Sequence, residues 1–111
     1  MNTRLHIWIG NPKSVSEMNH LKIILERLVP ADDSPGVVFE ERFLTIPDLA
    51  DGFTQSEDEK KLLTLQAEQQ GVSVATAMFG MTTSSNCSDK VWPASLHYLG
   101  SIAMDETDRE L

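Results

Sequence analysis

Between Ser14 and Pro30 the chain has one regular way to fold. Val15, Met18, Leu21, Leu25 and Leu28 recur at helical spacing, and Ile24 widens the stripe. Ser14 and Glu17 form a Ser-x-x-Glu capping box, which satisfies two amide donors that a helix start leaves unpaired. Pro30 cannot continue a helix and restricts Val29 before it. The pattern predicts a helix over 15–29 with one apolar face that must be buried against another layer. At 111 residues the chain is one domain, long enough to bury a core without disulfides or metal.

The flanking segments supply that layer. In Arg4-Leu5-His6-Ile7-Trp8-Ile9-Gly10, Leu5, Ile7 and Ile9 point one way and His6 and Trp8 the other. Trp8 on the second face predicts an inner strand with at least part of both faces covered. Gly10-Asn11-Pro12 ends it. Residues 37–46 read as a second strand, closed by Pro47. Phe39 and Phe43 share a face with Val37 and Glu41 there, and a bulge or an edge position would explain the charge. Asp48-Leu49-Ala50-Asp51-Gly52-Phe53 reads as a loop, and Thr54-x-x-Glu57 as the cap of a helix over 55–70 that stops at Gly71. Residues 72–79 read as a strand with a small-residue face, 80–90 as a Ser/Thr-rich loop and 96–104 as a last strand. The expected fold is α+β, in the order β-α-β-α-β-β. Its sheet is expected to be mixed, with the last two strands free to pair antiparallel and two helices mainly on one face. Residues 1–104 form the domain and 105–111 a charged, flexible tail.

Charge is distributed very unevenly along this frame. Residues 31–59 hold nine carboxylates and only Arg42 as a base, so they net −8, the charge of the entire chain. Such a segment attracts a basic partner. A net negative domain without Lys/Arg clusters argues against nucleic-acid or anionic-membrane binding. The N-terminus lacks a signal-peptide apolar run, and no stretch approaches a membrane span. Cys87 has no second cysteine to pair with, which fits a reducing cytoplasm.

No reaction chemistry stands out. Cys87 would need an activating base, and His6, His20 and His97 could reach it only through the fold. The three histidines show no metal-ligand spacing. His6 and His97 read as hydrogen-bonded sheet residues and His20 as a solvated helix residue. Asp48 and Asp51 are the one carboxylate pair that could serve acid–base work, but such pairs are generic. Asp48-x-x-Asp51-Gly52 lacks the full oxygen-ligand run of a calcium loop. No cofactor is expected.

The opening Leu5-His6-Ile7-Trp8-Ile9-Gly10, followed by Pro12-Lys13-Ser14, a helix and an acidic aromatic segment, resembles a bacterial immunity-protein family of polymorphic toxin systems. Members of that family often begin with an aliphatic-Trp-aliphatic-Gly strand and carry a short Asp/Glu-and-aromatic segment further on. Its nearest counterpart here is the segment from Asp48 to Phe53. The resemblance covers the first half of the chain. It implies a non-enzymatic inhibitor that binds its cognate toxin in the cytoplasm of the producing cell. The charge pattern suits a basic toxin. The partner-binding residues expected are Asp48 and Asp51 first, beside Leu49 and Phe53, then Glu40 and Glu41. Two other classes stay open. One is an acidic nucleic-acid mimic or regulatory binding protein, which would spread its carboxylates more widely. The other is a small enzyme using Cys87 or the Asp48/Asp51 pair.

Overall fold

The computed structural model describes residues 4–29, 36–83, 92 and 95–103. The elements run β1 (Arg4–Gly10), α1 (Val15–Leu28), β2 (Gly36–Thr45), α2 (Ile46–Ala50), α3 (Glu57–Gln69), β3 (Val74–Thr83) and β4 (His97–Ala103). The fold class is α+β, as the sequence predicts.

β1 organises the sheet. Ile7, Trp8 and Ile9 are all 0% exposed, so both faces of the strand are covered. It is an inner strand, antiparallel to β3 on one side and to β4 on the other. β2 pairs antiparallel with the far side of β3, and the strand order is β2-β3-β1-β4.

Three expectations need correction. The sheet is antiparallel throughout rather than mixed. β1 and β2 do run in the same direction, joined across α1, but β3 inserts between them. The last two strands do not pair either, because β1 lies between β3 and β4. Element order alone does not reveal strands that interleave. The helices also divide between the faces instead of gathering on one. Leu21 and Leu25 of α1 pack with Trp8, Ala77 and Phe79. Ile46 and Leu49 of α2, with Leu63 and Ala67 of α3, pack with Ile7, Ile9 and Met78 on the opposite side. The cause is that β1 and β3 are apolar on both faces, so each face needs its own cover.

The Ser14 half of the α1 capping box forms, while Glu17 reaches one residue past the cap, to Lys13 rather than to Ser14. Ser14 Oγ accepts the Glu17 N–H at 3.2 Å, and Glu17 Oε1 accepts the Lys13 N–H at 3.0 Å. The buried centre of the stripe is Leu21 and Leu25, while Val15 and Leu28 at its ends are exposed. The cap of α3 shifts by two residues from Thr54 to Ser56, whose Oγ accepts the Glu59 N–H at 3.3 Å. Both Thr54-x-x-Glu57 and Ser56-x-x-Glu59 fit the capping pattern. The second frame prevails with Thr54 as its support: its hydroxyl donates to Glu59 Oε1 at 2.7 Å and accepts the Ser56 N–H at 3.1 Å.

β3 is longer than its sequence suggests and includes residues 80–83, read above as loop. Gly80 does not terminate it. It pairs with Ile7 on one side and Gly36 on the other. A Cβ at Gly80 would lie 2.7 Å from Phe53 Cε1, so the glycine makes room for an aromatic ring over the strand. The remainder of the predicted loop, including Cys87, and the predicted tail lie outside the described residues.

Candidate functional site: the acidic end of the sheet

β2 is an edge strand with a break in its ladder. Gly36 to Phe39 pair with Gly80 to Ala77, and pairing resumes only at Leu44 opposite Ala75. Residues 40–43 therefore stand against Thr76 alone. The imperfect alternation in the sequence predicted a bulge or an edge, and the structure has both. Thr76 is held from its other side: its N–H donates to Asn11 Oδ1 at 3.3 Å and its hydroxyl to the Pro12 carbonyl at 2.8 Å. With Thr76 fixed, the surplus chain of β2 bows outward. Glu40, Glu41 and Arg42 are exposed, and Phe43 is 63% exposed.

β2 leads directly into α2. Thr45 caps that helix, its Oγ1 accepting the Asp48 N–H at 3.4 Å, and Pro47 occupies the first turn. The segment read as a loop thus begins as a short helix. Its amphipathic pattern explains this: Ile46, Leu49 and Ala50 are 0% exposed, while Asp48 is exposed. Leu49 is a core residue and is not available as an apolar contact for a partner. Phe53 is half-buried and packs against the core below α2 and α3. Its ring stands over Gly36 and Gly80. The aromatic exposed at this end is Phe43.

Asp51 is exposed but engaged. Lys60 Nζ lies 2.8 Å from its Oδ1 and 3.8 Å from Glu57 Oε1. The hydrogen bond and charge of Lys60 hold the Asp51 carboxyl below the usual carboxylate range. In turn Asp51, then Glu57 and Asp48, raise the Lys60 ammonium above its ordinary value. An acid–base pair at Asp48 and Asp51 would need a carboxyl tuned upward, and Asp51 is tuned the other way. Lys60 thus neutralises part of the expected patch. Among the described residues, Glu40, Glu41, Asp48 and Asp58 have no cation within ion-pair distance.

Two further features escaped the sequence reading. One is an aromatic cluster on the α1 face, made by His6, Trp8, Trp92 and Tyr98. Trp8 and Trp92 meet edge to face with centroids 5.1 Å apart, and Trp92 stacks on Tyr98 at 6.0 Å. His6 Nδ1 and the Tyr98 hydroxyl are 2.8 Å apart. Burial pushes the His6 imidazole below its ordinary pKa, against a hydrogen bond with the Thr83 backbone. Among the described residues, the buried indole N–H groups of Trp8 and Trp92 meet no acceptor, and the two rings are in direct contact. No local motif marks this cluster, because its members lie on β1 and beyond residue 90.

The other feature is a cleft of about 500 Å³ between α1 and the start of β4, with Asn11, Pro12, Ser16, Glu17, His20 and His97 on its walls. His20 is exposed and His97 half-buried. Among the described residues, no three His, Cys, Asp or Glu side chains converge so as to hold a metal ion. None of the described helices is long and apolar enough to cross a membrane. Comparison of the chain with protein-family models, with curated proteins and with solved structures finds no match.

Proposed function

We propose that this protein is a non-enzymatic inhibitor that binds a basic protein effector, as an immunity protein binds its cognate toxin in the cytoplasm of the producing cell. The observation that carries this reading is the outward bow of β2 at residues 40–43. It presents Phe43, 63% exposed, beside Glu40 and Glu41 on the most acidic third of the chain. An exposed aromatic with carboxylates around it has the composition of an interface anchor and its polar rim. The net charge of −8 adds a long-range field that speeds encounter with a basic surface and disfavours acidic ones. Asp48 extends the rim along α2. Asp51 contributes field more than contact, because Lys60 already occupies it. The Leu5-to-Gly10 strand and its acidic segment, with their likeness to immunity proteins, agree with this reading.

The test is co-expression with the product of the neighbouring gene. The reading predicts that the wild-type protein protects the host and co-purifies with that product. The double variant E40K/E41K should fold normally yet protect poorly, and F43A should weaken the complex further. A neighbouring product that is harmless, or toxic but unaffected by this protein, would overturn the proposal.

A further inference from the structure

We infer that the cleft between α1 and β4 receives an arginine side chain of the basic partner; this rests on the inhibitor reading above. Position is the first reason. Gly10, the last residue of β1, pairs with Ala77, next to Thr76. Thr76 faces the bowed segment of β2 on one side and is held by Asn11 and Pro12 on the other. Asn11 and Pro12 also wall the cleft. The cleft and the Phe43 protrusion therefore share one end of the sheet. The cleft opens between α1 and β4, three strand spacings from β2, about 14 Å, and one partner surface of ordinary size still spans both.

The walls supply the second reason. Of the described residues lining the cleft, Glu17 carries the fixed charge and none is Lys or Arg. Ser16, His20 and His97 add a hydroxyl and two imidazoles, which accept hydrogen bonds when neutral. A phosphate or carboxylate ligand would face Glu17 with no fixed cation to hold it. A guanidinium offers five donors in a rigid fork and matches a carboxylate with further acceptors beside it. Glu17 is held in place, since its Oε1 accepts the Lys13 N–H at 3.0 Å. Pro12 gives the stem of the side chain an apolar wall.

The third reason is that the cleft is built by a glycine. A Cβ at Gly10 would lie 2.8 Å from the Ser95 carbonyl oxygen and 3.3 Å from Leu21 Cδ1. Without it, α1 and the chain entering β4 close on the end of β1 and form the walls. A cleft of about 500 Å³ falls within the range of sites that enclose a small ligand or a long side chain.

The experiment titrates the isotope-labelled full chain with Nα-acetyl-arginine amide and, separately, with its citrulline counterpart, which keeps the shape and lacks the charge. The arginine probe should give saturable chemical-shift changes at Ser16, Glu17, His20 and His97, with the citrulline probe at least about tenfold weaker. The E17Q variant keeps the acceptor of the helix cap and removes the charge, so it should lose the response while retaining its fold. E40K/E41K should leave the probe response unchanged. No saturable change at the cleft, equal binding of citrulline, or full retention in E17Q would each overturn the arginine pocket. Loss of protection against the neighbouring product with the probe still bound would overturn the inhibitor reading alone.

Discussion

The two edges of the sheet are built on opposite principles. β4 is closed off. Gln70, at the end of α3, donates its side-chain amide to the Tyr98 carbonyl at 2.7 Å, and Arg4 bonds Ser101 through Nε at 2.7 Å and through a second nitrogen at 3.1 Å. Rings from His6, Trp8 and Trp92 pack around Tyr98. β2 is left open: among the described residues no side chain bonds its backbone, and its ladder lapses between Phe39 and Leu44. Bulges and charges are the ordinary means by which a protein keeps an open edge from pairing with other chains. They account for Glu40, Glu41 and Arg42. They do not account for Phe43, which protection from aggregation would make polar. The contrast separates an edge built for stability from one left available for contact.

That contrast breaks most sharply by mutation at the closed side. Trp8→Ala should cost about 3–5 kcal/mol and Leu25→Ala about 2–5 kcal/mol in urea unfolding, because both empty the α1 face of the sheet. Phe43→Ala should stay within about 0.5 kcal/mol of wild type, as an exposed substitution does. Equal losses at Trp8 and Phe43 would erase the distinction between the edges.

Gly80→Ala should cost about 1–3 kcal/mol, because its methyl group meets the Phe53 ring. Shortening that ring with Phe53→Leu in the same chain should return part of the loss. If the pair of changes is no better than Gly80→Ala alone, Phe53 is not what Gly80 makes room for.

The closed edge should also respond to acid. His6 has a lower pKa folded than its ordinary value of 6.5. The unfolded chain then binds the extra proton first as pH falls. This contribution to stability is present above about pH 6.5, declines as pH drops through that value and levels off below the folded pKa. Melting temperatures measured from pH 8 to 5 should show the decline, and His6→Gln should remove it. A profile unchanged by the substitution would contradict the buried neutral imidazole.

The smallest effect on stability is expected at Lys60. Its carboxylate partners Asp51 and Glu57 are exposed while its own stem is largely covered. Lys60→Met, which keeps the stem and removes the charge, should therefore move the unfolding midpoint little. It should instead speed association with a basic partner, because it uncovers two carboxylates. Slower association would mean that Lys60 is itself a contact.

Much of the frame was legible in the sequence. The Ser14 box, the Leu21/Leu25 stripe and the two-faced β1 are local signals, and they predict α1 and an inner first strand. Pairing was not legible, because interleaving of β3 between β1 and β2 depends on contacts far apart in the chain. Gly80 illustrates a second limit: glycine marks a turn or a close approach equally well, and only the position of Phe53 decides between them. At the candidate site, Glu40, Glu41 and Asp48 lie exposed as expected. The sequence does not pair Asp51 with Lys60, which lies a helical turn beyond the cap that places it. Phe53 is half-buried, and Phe43 is the aromatic that stands exposed at this end. Both are aromatics beside acids, and the break in the β2 ladder alone exposes one while α2 tucks the other under the helices.

Amide hydrogen exchange of the protein, free and bound to the neighbouring gene's product, tests the open edge most directly. New protection is expected across residues 36–48 in the complex, strongest around Glu40 to Phe43, with β4 residues 99–103 unchanged. A stable complex that leaves residues 40–48 as exchangeable as in the free protein, and protects β4 instead, would contradict the open edge as the contact surface.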